Sequence, residues 1–257
     1  MSKFIGNKAF YKMVLLIAVP IMIQNGITNF VSLLDNIMIG QIGTEQMSGA
    51  AIVNQLIFVY NLCMFGGVSG AGIFTAQYFG QGSYEGVRQT MRFKFWMAVA
   101  VTGLTVMILL GGGTFLISSY LKGDGSAADA AATLLYGKQY LHIMLLGLPA
   151  FAVVQIYAST LRECGQTVLP MKAGIVAVFV NLIFNYLLIY GKCGLPELGV
   201  RGAAIATVLS RYVEMVIVTW QVHKKADIYP FMEGLYHTMK IPKDLAKDSF
   251  TNNHCRQ

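Results

Sequence analysis

The chain has 257 residues, of which 55% are hydrophobic and only 12% charged, against about 25% charged side chains in a soluble domain. That shortage excludes an ordinary water-facing surface. The net charge of +7, from 19 basic and 12 acidic residues, sits mostly between apolar runs rather than in a basic stripe interleaved with aromatics, which argues against a nucleic-acid partner.

The apolar runs are long enough to cross a bilayer core of roughly 30 Å, and they are continuous rather than alternating, so the expected class is an all-α membrane protein and not a β-barrel. In chain order, spans are predicted at about 13–39, 50–79, 93–120, 134–160, 168–190 and 201–222. This makes residues 1–226 one six-transmembrane-helix bundle and residues 227–257 a cytoplasmic linker and tail. Lys3, Lys8 and Lys12 precede the first span, Arg88, Arg92 and Lys94 lie between the second and third, Arg162 and Lys172 flank the next connection on that side, and Lys224 and Lys225 follow the sixth. The opposite side has no Lys or Arg between the first two spans, then Lys122 and Lys138, then Lys192 and Arg201. The positive-inside rule therefore predicts a cytoplasmic N-terminus for a multi-pass protein whose expected location is the plasma membrane (the cell inner membrane). The first span is not a cleaved signal, because its run exceeds signal length and contains Gln24, Asn25, Asn29 and Asp35.

Polar residues inside a span are costly in hydrocarbon, so they mark candidate sites. In the first span Asn25, Thr28, Asn29, Ser32, Asp35 and Asn36 recur at three- and four-residue steps, on one helical stripe. Asp35 is the sole carboxylate there, and two readings stand: a hydrated residue near the outer end of the helix, or a cation or proton site inside the bundle. Pro20 removes a backbone donor midway along the same helix, as static geometry or as a hinge. The second span adds Asn54 and Asn61, with Gly66 and Gly70 in a GxxxG pattern that signals close packing. Gln155 and Ser159 follow in the fourth. In the fifth, Asn181 and Asn185 are four residues apart and face one way, able to coordinate a cation, bond a substrate or bridge helices. The sixth carries Thr207, Ser210 and the pair Arg211 and Glu214, whose spacing of three fits a structural ion pair.

The four cysteines are scattered and the histidines far apart, so neither a disulfide framework nor a metal site is predicted. Phosphate-loop and GxGxxG patterns are absent, as is a nucleophile with an oriented base. The chain is therefore read as neither nucleotide-driven nor an enzyme, with no cofactor, and any pumping would draw on an ion gradient.

The stretch from Pro20 through Gln24 and Asn25 to Asp35, Met38 and Gly40 resembles the first helix of multidrug and toxic compound extrusion (MATE) transporters. NLIFNYLLIYGKCGLPELGVRGAAIAT, residues 181–207, resembles the fifth helix, outer loop and sixth-helix entry of the NorM-type branch. The resemblance implies one six-helix lobe of a twelve-helix fold that exports organic cations in exchange for protons or sodium. It gives Asp35 the ion-coupling role and Pro20 the bend, with Gln24, Asn25, Thr28, Ser32, Asn181, Asn185 and Thr207 lining the cavity.

Asn185 departs from the pattern, since some members carry an aspartate there, and this leaves Asp35 as the single expected protonation point of the lobe. KIPKDLAKD resembles the interlobe linker, but the SFTNNHCRQ that follows is too short and polar to span a membrane. The expectation is a truncated N-terminal half whose partners are the bilayer, small organic cations, protons or sodium, and a missing second lobe or another copy of the chain. The alternatives are a lipid-linked precursor flippase of the same superfamily and a non-transporting membrane fragment.

Overall fold

The computed structural model describes residues 8–121, 127–224 and 229–232. All six predicted spans are helices: α1 Lys8–Gly40, α2 Thr44–Gly80, α3 Tyr84–Tyr120, α4 Ala127–Glu163, α5 Val168–Ile189 and α6 Val200–Lys224. Each is long and apolar enough to cross a membrane, and no strand occurs among the described residues. Large apolar side chains such as Leu16, Phe30, Met107 and Phe115 point outward, as they must where the solvent is hydrocarbon.

Hydropathy locates the spans but misses their starts, because α2, α3 and α4 begin at residues 44, 84 and 127 rather than at about 50, 93 and 134. The extra turns are polar and stabilised by their own chemistry. Glu45, Glu85 and Asp129 stand in the first turns, where a carboxylate meets the positive end of the helix dipole. Ser83 caps α3 by accepting a hydrogen bond from the Gly86 amide at 3.3 Å. Hydropathy reports where hydrocarbon begins; capping decides where the helix begins.

α4 is the most enclosed helix, packed against α2, α3 and α6, while α5 pairs with α6 and α1 lies on the outside chiefly against α5. A close helix approach is made by glycines 88 positions apart and not by the GxxxG pair. A Cβ on Gly49 of α2 would stand 2.8 Å from both the Gly137 nitrogen and the Thr133 oxygen of α4, whereas Gly66 and Gly70 have nothing within 4 Å.

Lys94, counted above among the charges between spans, is instead inside α3 and fully buried. Its ammonium donates to Ser159 Oγ at 3.1 Å, to Thr160 Oγ1 at 3.4 Å and to the Glu163 carboxylate, all on α4. A buried charge is tolerable only when so paired. Past residue 226, within the stretch read as linker, Tyr229 and Phe231 are buried, and the turn Pro230–Met232 packs against α3. The rest of that stretch lies outside the described residues.

Candidate functional site

α1, α2, α4, α5 and α6 enclose a cavity of about 380 Å³ with Asp35 on its wall. Asn185 of α5, fully buried, donates through Nδ2 to Asp35 Oδ1. One turn earlier, Asn181 is satisfied when its amide nitrogen faces the carboxylate. It then donates to Asp35 Oδ1 and Oδ2 at 3.1 and 3.2 Å while its oxygen accepts from Thr207 Oγ1 of α6 at 3.3 Å. A carboxylate surrounded by amide donors is stabilised within low dielectric without a fixed positive charge in contact with it.

The spacing of four between Asn181 and Asn185 puts both amides on one face of α5, as the sequence predicts, and in the structure that face is turned toward α1. Gln24, Thr28, Ser32, Asp35 and Asn36 line the cavity from α1. Asn25 does not: it is exposed and outside the lining. The lining from α1 runs through Gln24, Thr28, Val31, Ser32, Asp35, Asn36 and Ile39, whereas Asn25, at nearly the helical angle of Ser32 but about two turns nearer the N-terminal end, is not part of it. Thr28 lines the wall with its hydroxyl already engaged, donating to the Gln24 carbonyl at 2.9 Å. Pro20 sits one turn before Gln24, outside the lining, and α1 runs through it as a continuous helix.

Arg211 and Glu214 also face the cavity, and Arg211 Nη1 donates to Glu214 Oε2 at 2.9 Å. The guanidinium lies 5.7 Å from the centre of the Phe151 ring, within cation–π range. The charged lining is thus two carboxylates and one guanidinium. Among the described residues no group of three His, Cys, Asp or Glu side chains could hold a metal ion.

Sequence reading did not single out Tyr140, whose hydroxyl donates to Asn54 Oδ1 at 3.2 Å across the cavity wall. The signal was present in α4: Tyr140, Met144, Gly147, Leu148 and Phe151 recur at three- and four-residue steps and all line the cavity.

This arrangement can be set beside known proteins. The family model described as MatE matches residues 20–187, most of the bundle including Asp35 and both asparagines. The chain belongs to the MatE family.

Members of this family are transporters rather than enzymes, and several relatives are named for drug resistance. The probable multidrug resistance protein NorM of Thermotoga maritima is 30% identical over 219 residues, 85% of this chain and 46% of that protein. The multidrug resistance protein MdtK of Klebsiella pneumoniae is 27% identical over 213 residues, 83% of this chain and 45% of that protein. The fold matches that of solved MATE structures. An outward-facing multidrug resistance MATE family transporter superposes with a TM-score of 0.78 at 19% identity, and a MATE crystal structure in the bent conformation with 0.75 at 18%. Each superposition covers 93% of this chain, and 50% and 51% of the respective solved chains. The chain spans about half the length of the curated relatives it matches, and its fold is one six-helix lobe of the MATE architecture.

Proposed function

We propose that this chain forms one lobe of a secondary-active multidrug efflux antiporter, in which Asp35 alternates between a proton and an organic cation. The observation that carries the reading is the amide cradle around Asp35. An amide serves a carboxylate by donating and, turned over, serves a carboxylic acid by accepting. Asn185 Oδ1 is buried without a hydrogen-bond partner, so turning the amide over breaks no bond of that oxygen and would bring it to a neutral Asp35 as an acceptor. The site can hold either protonation state, which is what exchange requires.

The lining charge supports a cation as the other ligand. Glu214 is matched by Arg211, while no cationic group pairs with Asp35 in the hydrogen-bond network. A lipid-linked precursor with an anionic headgroup would favour a basic lining, and the one base present is engaged. The cavity wall also offers Tyr140 to a flat aromatic cation.

The charges at the helix ends support a cytoplasmic N-terminus, with Lys8, Lys12, Arg88, Arg92, Arg162, Lys172 and Lys224 on one side. A second six-helix lobe, or another copy of the chain, would complete the cavity. Differential affinity of the two states of α1 for proton and cation would supply the switching energy.

The test is ethidium binding by the purified chain in lipid nanodiscs as pH is varied. Cation binding needs the ionised carboxylate, so affinity should rise with pH in the wild type and release a proton into weakly buffered medium. Asp35→Asn should bind at least tenfold more weakly, with no pH dependence and no proton release. Unchanged pH dependence in Asp35→Asn would remove the role assigned to this residue.

A further inference from the structure

Pro20 has no amide hydrogen, so the carbonyl of Leu16, four residues earlier, lacks its helical partner. That carbonyl accepts a hydrogen bond from Thr167 Oγ1 at 3.4 Å, across 151 positions of sequence. Thr167 is the N-cap residue of α5, where a threonine hydroxyl ordinarily accepts from an amide of the first turn. Here it makes no such bond. The side chain is 4% exposed, enclosed between the two helices and turned away from its local role toward the freed carbonyl.

The same α4–α5 connection grips α1 again on the other side of the proline. Arg162 Nη2 donates to Gln24 Oε1 at 3.5 Å, and the Gln24 amide fills the space above Gly174, where a Cβ would stand 2.8 Å from its Nε2. Leu16 and Gln24 each lie four residues from Pro20. The connection between the grips is a closed turn: Gly165 N bonds to the Arg162 carbonyl at 3.0 Å and Gln166 N to the Leu161 carbonyl at 2.7 Å. A rigid piece that holds α1 on both sides of Pro20 cannot keep both contacts when the helix bends there.

We infer that the α4–α5 connection is a two-point clamp across Pro20, with Thr167 the positioning residue that sets how much of the population holds α1 straight. The inference rests on the expectation, carried by the family resemblance, that α1 bends at Pro20 between its two proposed states, and the experiment separates the two. The full chain, with its native cysteines replaced, carries spin labels at Lys12→Cys and Lys172→Cys, both exposed positions, and pulsed dipolar spectroscopy in nanodiscs reads the straight and bent populations.

Thr167→Val keeps the shape and removes the donor, and should move the straight-to-bent ratio toward bent by about fivefold, the effect of one net hydrogen bond. Thr167→Ala should do the same, and Thr167→Ser, which keeps the donor, should match wild type. Pro20→Ala returns a helical partner to the Leu16 carbonyl, so the bent population should vanish and Thr167→Val should then change nothing. If Pro20→Ala leaves the populations as in wild type, the hinge reading fails. If it removes the bent population while both Thr167→Val and Thr167→Ala leave the wild-type ratio unchanged, or if they act equally in the Pro20→Ala background, the clamp is overturned.

Discussion

The Glu163 carboxylate occupies the space in which a side chain on Gly72 would begin, and from there it meets the ammonium of Lys94. Three helices converge on this contact: α2 gives way by having a glycine, α3 brings the lysine and α4 the carboxylate. Removing one partner of a buried pair leaves the other charge stranded, which costs about 3–5 kcal/mol. Lys94→Met should therefore lower the unfolding midpoint of the detergent-solubilised chain strongly, and Gly72→Ala should do so by displacing Glu163. Lys94→Met with Glu163→Met should lie closer to wild type than Lys94→Met alone, since no charge is then stranded. Additive losses in that double variant would show that the pair is not coupled.

Gly49 and Gly66 lie in the same helix with opposite surroundings. Gly49→Ala must push α2 away from the α4 backbone, and overpacking of this kind costs about 1–3 kcal/mol. Gly66→Ala enters open space and should be neutral or stabilising by up to about 1 kcal/mol, the gain of replacing a helical glycine. Thermal unfolding of the two variants side by side checks the contrast, and equal midpoints would contradict the packing described.

Labelling of single-cysteine variants tests the orientation. Cys193 is exposed in the turn Lys192–Gly194 between α5 and α6, on the side predicted to face outward, and should react with a membrane-impermeant maleimide added to intact cells. Cys164, just past the C-terminal end of α4, is buried, and burial together with the nearby Glu163 carboxylate pushes its thiol up to about 12. The thiolate is the reactive form. Cys164 should therefore stay unlabelled at pH 7–8 even in opened membranes, gaining reactivity only toward pH 12 as the thiol ionises. Labelling of Cys193 only after permeabilisation would reverse the topology.

Arg211 is a resident cation of the cavity, paired with Glu214 and set against Phe151. Arg211→Met frees the Glu214 carboxylate and the face of the ring for an incoming aromatic cation. Ethidium should then bind at least fivefold tighter at neutral pH, and adding Glu214→Gln should abolish the gain. Fluorescence titration in nanodiscs decides it, and unchanged or weaker binding in Arg211→Met would mean that the pair only braces α6.

Much of the site was legible because it repeats at helical spacing. Asn181 and Asn185 had to share a face, and Asp35 had to stand out as the lone carboxylate of the first span. The error at Asn25 arose because helical spacing puts it at nearly the same angle as Ser32 and Asn36, and only the structure shows that at its level along α1 the lining is Gln24. Lys94 was misplaced because hydropathy cannot distinguish a charge in a loop from one buried against a carboxylate 69 positions away. Thr167 and Leu16 could not be linked at all, since a freed carbonyl is visible in sequence at every helical proline but its partner is not.

The sequence by itself determined six apolar helices, their order and the polar residues they carry, because hydrocarbon sets span length and helical periodicity sets the faces. Tertiary structure alone decided that Asp35 meets Asn181 and Asn185 rather than lipid, that Gly49 and not Gly66 is the close contact, and that Thr167 reaches the carbonyl below Pro20. Those facts depend on how helices rotate and lean against one another, and side-chain volume and hydrogen-bond reach settle that only once every neighbour is in place.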